Sequence, residues 1–255
     1  MITFSTLATQ RLIIGTICGL MAVSVVNVAR AESSPFSTDQ KAAIQEIIRT
    51  YLLEHPEVLM ESVQAYQERE QAAEDTKRSQ GLSSRKEQLF NDPSSPVIGN
   101  PKGDVTLIEF FDYQCGYCKS VRESLLGLIN QDKNIRLVMK EFPILSPAST
   151  LAAKAALASH EQGKYWEFHN LLMGNRGPLN EESIMRLARS ISLDTDRLRK
   201  DMESSQIAAA LDNNRKLAEA LSLHGTPAFI IGDKVIPGAV DLDSLKRLVA
   251  VERKK

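Results

Sequence analysis

The chain has 255 residues, 43% hydrophobic and 25% charged, with a formal net charge of −1. That length holds one large domain, or a medium domain and a small one. The balanced charge and the 5% aromatic content argue against nucleic acid as a partner, because neither a basic surface nor a set of base-stacking rings is present.

Residues 1–31 read as a signal peptide. Arg11 supplies the positive start, an apolar run extends from Leu12 to Val28, and Ala29-Arg30-Ala31 gives the small-x-small pattern of a cleavage site after Ala31. A membrane anchor is the competing reading, but Thr16, Ser24 and Asn27 interrupt a run that is already short for a span. Cleavage removes Cys18 and leaves Cys115 and Cys118. An exported, periplasmic chain meets an oxidising compartment. A bridge across two residues closes almost no loop, so this pair is better explained by chemistry than by stapling.

Residues 32 to about 80 form a separate helical stretch. Phe36-Ser37-Thr38-Asp39 offers capping residues, and Ile44, Ile47, Ile48, Tyr51 and Leu52 recur at helical spacing. His55-Pro56 breaks the pattern, and a second helix carries Leu59, Met60, Val63 and Tyr66 on one side. Two such helices cannot build a core alone, so they are expected to dock on the main domain or on copies of themselves. From Gln67 to Gln88 large apolar residues almost vanish, which reads as a solvated helix or a linker. Asn91 to Pro96 reads as a loop.

Residues 81–255 make the main domain, of α/β class. Val105 to Phe111 is a buried strand, Val121, Leu125, Leu128 and Ile129 mark a helix face, and Ile135 to Met139 is a second strand. Helices fill residues 146 to about 222. Ala228–Ile231 and Lys234–Ile236 form a hairpin across Gly232-Asp233, and a helix from Asp241 to about Glu252 closes the chain. The order is β-α-β, a helical insertion, then β-β-α.

Cys115-Gly116-Tyr117-Cys118 sits where the first strand gives way to a helix. Unsatisfied backbone N–H groups and the helix dipole favour negative charge there, and a thiol attacks only as its thiolate. Cys115 is placed to attack a substrate disulfide, and Cys118, one turn on, to resolve the mixed disulfide. The pair as half of a zinc site lacks partners: there is no second cysteine pair, and His55, His160, His169 and His224 are scattered. No metal and no cofactor are expected.

Glu109 lies inside an apolar strand, where an unpaired carboxylate is costly, and Lys140 follows the second strand. If the strands are neighbours, the two pair beneath the cysteines. Glu109 is then either an acceptor for the Cys118 proton or half of a structural ion pair.

Cys-x-x-Cys after a first strand, with Gly225-Thr226-Pro227 before a late hairpin, resembles the thioredoxin superfamily. The segment from Ile108 to Cys118 and the helical insertion look like DsbA-like bacterial proteins over roughly residues 90 to 255. The resemblance implies a thioredoxin-like fold, Cys115 as nucleophile, Cys118 as resolving thiol and Pro227 as a cis-proline. It also implies substrate contacts around Gly116, Tyr117, Thr226 and Pro227, and a match of Glu109 to a buried acid six residues before the first cysteine. The monomeric oxidases of that family carry Pro-His between the cysteines and Val before the cis-proline. Gly116-Tyr117 with Thr226 is instead similar to disulfide isomerases of the DsbC kind. The stretch Tyr51 to Leu59 looks like the oligomerisation segment of ScsC-like proteins. Together these imply a homo-oligomeric isomerase or reductase acting on exported proteins, with a membrane redox partner. A dithiol oxidase and a non-catalytic periplasmic chaperone or surface antigen are the alternatives.

Overall fold

The computed structural model describes residues 35–255. The expected leader through Ala31, and Cys18 within it, lie outside the described residues. The chain divides into two compact units, one ending at Met60 and one running from Glu61 to Lys255. Helix α1 (Thr38–Glu54) begins at Ser37, whose side chain accepts from the Gln40 N–H while the Gln40 side chain accepts from the Ser37 N–H. This reciprocal pair satisfies two of the donors that a helix start leaves open. Helix α1 buries none of its residues, and Ile47, Ile48 and Tyr51 are all more than half exposed. Helix α2 (Glu57–Ser84) follows directly after Pro56.

The second unit is built on a five-stranded mixed sheet. Its strands are β1 (Val97–Gly99), β2 (Val105–Phe111), β3 (Ile135–Glu141), β4 (Ala228–Ile231) and β5 (Lys234–Pro237). They lie in the order β1-β3-β2-β4-β5. Strands β2 and β3 are parallel, and the other pairs are antiparallel. The parallel pair is joined through α4 (Gly116–Gln131), as parallel strands require a crossover. Helix α10 (Leu242–Glu252) ends the chain. The insertion supplies α5 (Pro147–His160), α6 (Tyr165–Gly174), α7 (Glu181–Ser190), α8 (Thr195–Met202) and α9 (Ser205–Ala220).

Alternation along the central strands sorts the core into two. Leu107, Phe111, Leu137 and Met139 face one cluster with Val121, Leu125 and Leu245, and with the alanine face of α5. Ile108, Phe110 and Val138 face the other, with Leu217, Leu221, Leu82 and Leu89. The central strands are therefore buried on both faces, which explains their nearly continuous apolar sequence.

Three features depart from the sequence reading. Strand β1 directly follows the expected Asn91–Pro96 loop, in residues to which the sequence reading gave no element, because three residues carry too little alternation to read. The polar stretch from Gln67 is helix to Ser84, one of the two forms expected of it, but its end is buried in the core rather than solvated. A side-chain carbon at Gly81 would stand 2.6 Å from the Ala220 carbonyl oxygen, so glycine is what lets α2 approach α9. A short helix α3 (Lys86–Phe90) then buries Leu89.

Candidate thiol–disulfide exchange site

Cys115 is the N-cap residue of α4, in extended backbone conformation, and its sulfur accepts from the Cys118 N–H at 3.4 Å. A sulfur thus takes the place that a Ser or Asp oxygen occupies at most helix starts, where a partial positive charge favours an anion. The Cys115 thiol also lies 3.2 Å from the Thr226 carbonyl oxygen. Both thiols are free and buried, Cys115 at 5% exposure and Cys118 at 1%. Between them, Tyr117 is 71% exposed, and nothing stands within 4 Å of where a side chain on Gly116 would begin. The Thr226–Pro227 peptide is cis. The structure thus brings together Cys115, Cys118, Gly116, Tyr117 and the Thr226-Pro227 loop.

Burial pushes the Cys118 thiol well above its usual range. The Asp112 backbone N–H pulls it down, while a charge on Glu109 and the neighbouring Cys115 push it further up. Glu109 is buried, and burial pushes its carboxyl up to about 8. A carboxyl shifted this far titrates near neutral pH rather than in the acid range.

Lys140 does not join this site. In the β2–β3 register Glu109 pairs with Met139, and Lys140 pairs with Phe110. An offset of one residue along a strand puts two side chains on opposite faces. Lys140, fully buried, donates instead to the Gln88 carbonyl and to Asp92, both at 2.9 Å. Burial pushes the Asp92 carboxyl up, but Lys140, Ser94 and Ser95 outweigh it and hold it at about 2. Burial, with the nearby Arg136 charge, pulls Lys140 down against the opposing pull of Asp92, and the two direct hydrogen bonds hold its ammonium in place. The expected Glu109–Lys140 pair is therefore replaced by a structural Lys140–Asp92 pair.

The sequence reading gave no role to a further set of buried polar residues. Asp112 accepts from the N–H groups of Gln114, Ile144 and Leu145 at 2.7, 2.9 and 3.0 Å. On the cysteine face of the sheet, Glu141 accepts from the hydroxyls of Tyr113 and Tyr165, both at 2.9 Å. His169 meets Tyr113 at 3.1 Å and stacks on Trp166. Burial pushes Glu141 well above the carboxylate range, and it pulls His169 down to about 3. The one available signal was Asp112-x-x-Cys115, an acid placed three residues before the helix cap.

A family model described as a DSBA-like thioredoxin domain matches residues 106–250. A second, the copper resistance protein ScsC N-terminal domain, matches residues 40–73. A thioredoxin-like oxidoreductase from Silicibacter pomeroyi is 46% identical, with a TM-score of 0.65 over 66% of this chain and 98% of that one. Proteus mirabilis ScsC in a transitional conformation is 29% identical, with a TM-score of 0.64 over 86% of this chain and 99% of that one. A curated relative, Na(+)/H(+) antiporter NhaA 1 of Salinispora arenicola, is 29% identical over 161 residues, 62% of this chain and 25% of the antiporter. The chain thus spans about a quarter of that relative's length. Among the described residues no helix is long and apolar enough to cross a membrane.

Proposed function

Because this chain belongs to the family of DsbA-like thioredoxin-domain thiol–disulfide oxidoreductases, we propose that it is a periplasmic protein disulfide isomerase or reductase working through Cys115 and Cys118. The observation that carries the site is the Cys115 sulfur, held by the Cys118 N–H at the start of α4 and set against the Thr226 carbonyl. In this reading Cys115 attacks a disulfide of an exported protein, and Cys118 resolves the mixed disulfide. Glu109 takes the Cys118 proton. Extended substrate backbone runs past Thr226-Pro227, flanked by Gly116 and Tyr117, in the manner of strand addition.

Gly116-Tyr117 between the cysteines and Thr226 before Pro227 support the isomerase or reductase direction over net oxidation. So does the ScsC N-terminal match over residues 40–73. We assign residues 32–80 to self-association and residues 81–255 to the catalytic domain, and we place the site of work in the periplasm after cleavage at Ala31. A membrane redox partner keeps the pair reduced. The test is the redox state of Cys115 and Cys118, trapped by acid and alkylation in freshly lysed cells. An isomerase or reductase is found reduced; a pair found oxidised reverses the proposal in favour of a dithiol oxidase.

A further inference from the structure

Resting on the exchange reading above, we infer that Asp112 is the positioning residue of the site: it fixes the loop so that Cys118 is aligned on Cys115 when the mixed disulfide is resolved. Asp112 is 1% exposed. A buried carboxylate is retained only where hydrogen bonds replace its water. Here one oxygen accepts from the Gln114 N–H at 2.7 Å, and the other accepts from Ile144 and Leu145 at 2.9 and 3.0 Å. The carboxylate thereby ties the exit of β2 to the exit of β3. Its backbone serves the cysteines directly. The Asp112 carbonyl accepts from the Cys115 N–H at 3.1 Å, and its own N–H favours the anionic form of Cys118. Asp112 thus holds the Cys115 backbone through its carbonyl and is itself held by three bonds to its side chain.

Resolution is the step that needs this. The Cys118 thiolate attacks the Cys115 sulfur of the mixed disulfide, and its proton has passed to the Glu109 carboxylate. The Cys115–Cys118 bond forms, the bond from Cys115 to the substrate sulfur breaks, and that sulfur leaves as a thiolate with the bonding pair. The substrate is reduced and the cysteine pair oxidised. Attack at sulfur requires three atoms nearly in line, so small displacements of Cys118 slow it steeply. Formation of the mixed disulfide uses the Cys115 sulfur and does not depend on how Cys118 is aligned.

The test separates the two steps with a disulfide-bonded peptide as substrate. In Asp112→Asn an amide N–H₂ meets backbone donors on one side, so part of the tie is lost. Resolution by Cys118 is expected to slow at least about tenfold, while mixed-disulfide formation in the Cys118→Ala background stays within about twofold. Asp112→Ala removes all three bonds and is expected to slow resolution further at an unchanged formation rate. A second measurement uses the wild-type chain: the Gln114, Ile144 and Leu145 amides are expected to be protected from hydrogen exchange together. Equal slowing of both steps, an unaltered resolution rate, or free exchange of these amides in the wild type overturns the inference. A wild-type chain that forms no mixed disulfide at all overturns the exchange reading as well, so the two failures are distinguishable.

Discussion

Glu109 and Lys140 leave the central strands on opposite faces of the sheet, one register position apart. Glu109 shares its face with the cysteines, and Lys140 shares its face with the packing of α2, α3 and α9. Two ionisable residues that look like partners in the sequence therefore sit in different surroundings, and they predict different phenotypes.

Glu109→Gln is expected to make the domain more stable at alkaline pH and slower in exchange. Its carboxyl stands at about 8 in the folded chain against 4.5 for the free group. Between those values the unfolded chain has released a proton that the folded chain keeps, so stability falls as pH rises. At about 1.4 kcal/mol per unit, the penalty reaches several kcal/mol by pH 8. Glutamine carries no such penalty, so its unfolding free energy should be flatter from pH 5 to 8 in urea titrations. It also cannot take the Cys118 proton, so resolution slows. A variant with the wild-type pH slope and full turnover sinks the assignment.

Asp92→Asn is expected to cost about 3–5 kcal/mol, because it strands the buried Lys140 charge without its partner. Lys140→Met, which removes the charge itself, is expected to cost less. Neither change should alter the rate at which Cys115 is alkylated in the folded protein. Urea unfolding and alkylation kinetics check both halves, and an altered alkylation rate in Lys140→Met would put Lys140 back at the site.

Cys118→Ala should accumulate mixed disulfides with substrates, visible on non-reducing gels, and Cys115→Ala should accumulate none. The geometry behind this is the Cys115 sulfur at the cap of α4, with Cys118 one turn deeper. Equal trapping by the two variants is incompatible with the assigned order of attack.

What was legible in the sequence follows from range. The cysteine pair, the strand before it and the proline before the hairpin are local patterns, and each stands where its pattern put it. Capping at Ser37 is equally local. Strand register is not local: nothing in Val105–Phe111 or Ile135–Glu141 taken alone says that Glu109 meets Met139. The same holds for Asp112, whose side chain is satisfied by amides about thirty residues on, and for Glu141, Tyr113, Tyr165 and His169, which meet only in three dimensions. Gly81 and Leu82 sat in a stretch whose polar composition masked its last turn, the one that packs.

Self-association through residues 36 to about 66 is the last prediction, and isomerisation is expected to depend on it. Phe36, Ile47, Ile48, Tyr51, Leu53, Leu59 and Met60 are each at least half exposed in the single chain. Scattered apolar residues are ordinary on a surface, but a run of them on consecutive helical turns marks an interface. At about 1.5–3 kcal/mol per fully buried large side chain, a few such contacts suffice to hold copies together, most simply with closed symmetry. An oligomer would hold several cysteine pairs around one cleft and would shield them from a partner that oxidises monomers, which favours isomerisation because that reaction requires reduced Cys115. The variant of choice is Ile47→Glu with Ile48→Glu in the full chain, since charges on an exposed helical face leave the helix intact. A truncation near residue 90 is unsuitable, because it strips Leu82 and Leu89 from the core. Light scattering is expected to give an oligomer for the mature chain and a monomer for the double variant, with refolding of a scrambled disulfide substrate much reduced in the latter. A monomeric mature chain rejects the prediction. A monomeric variant with the full isomerisation rate rejects its functional half and leaves the association standing.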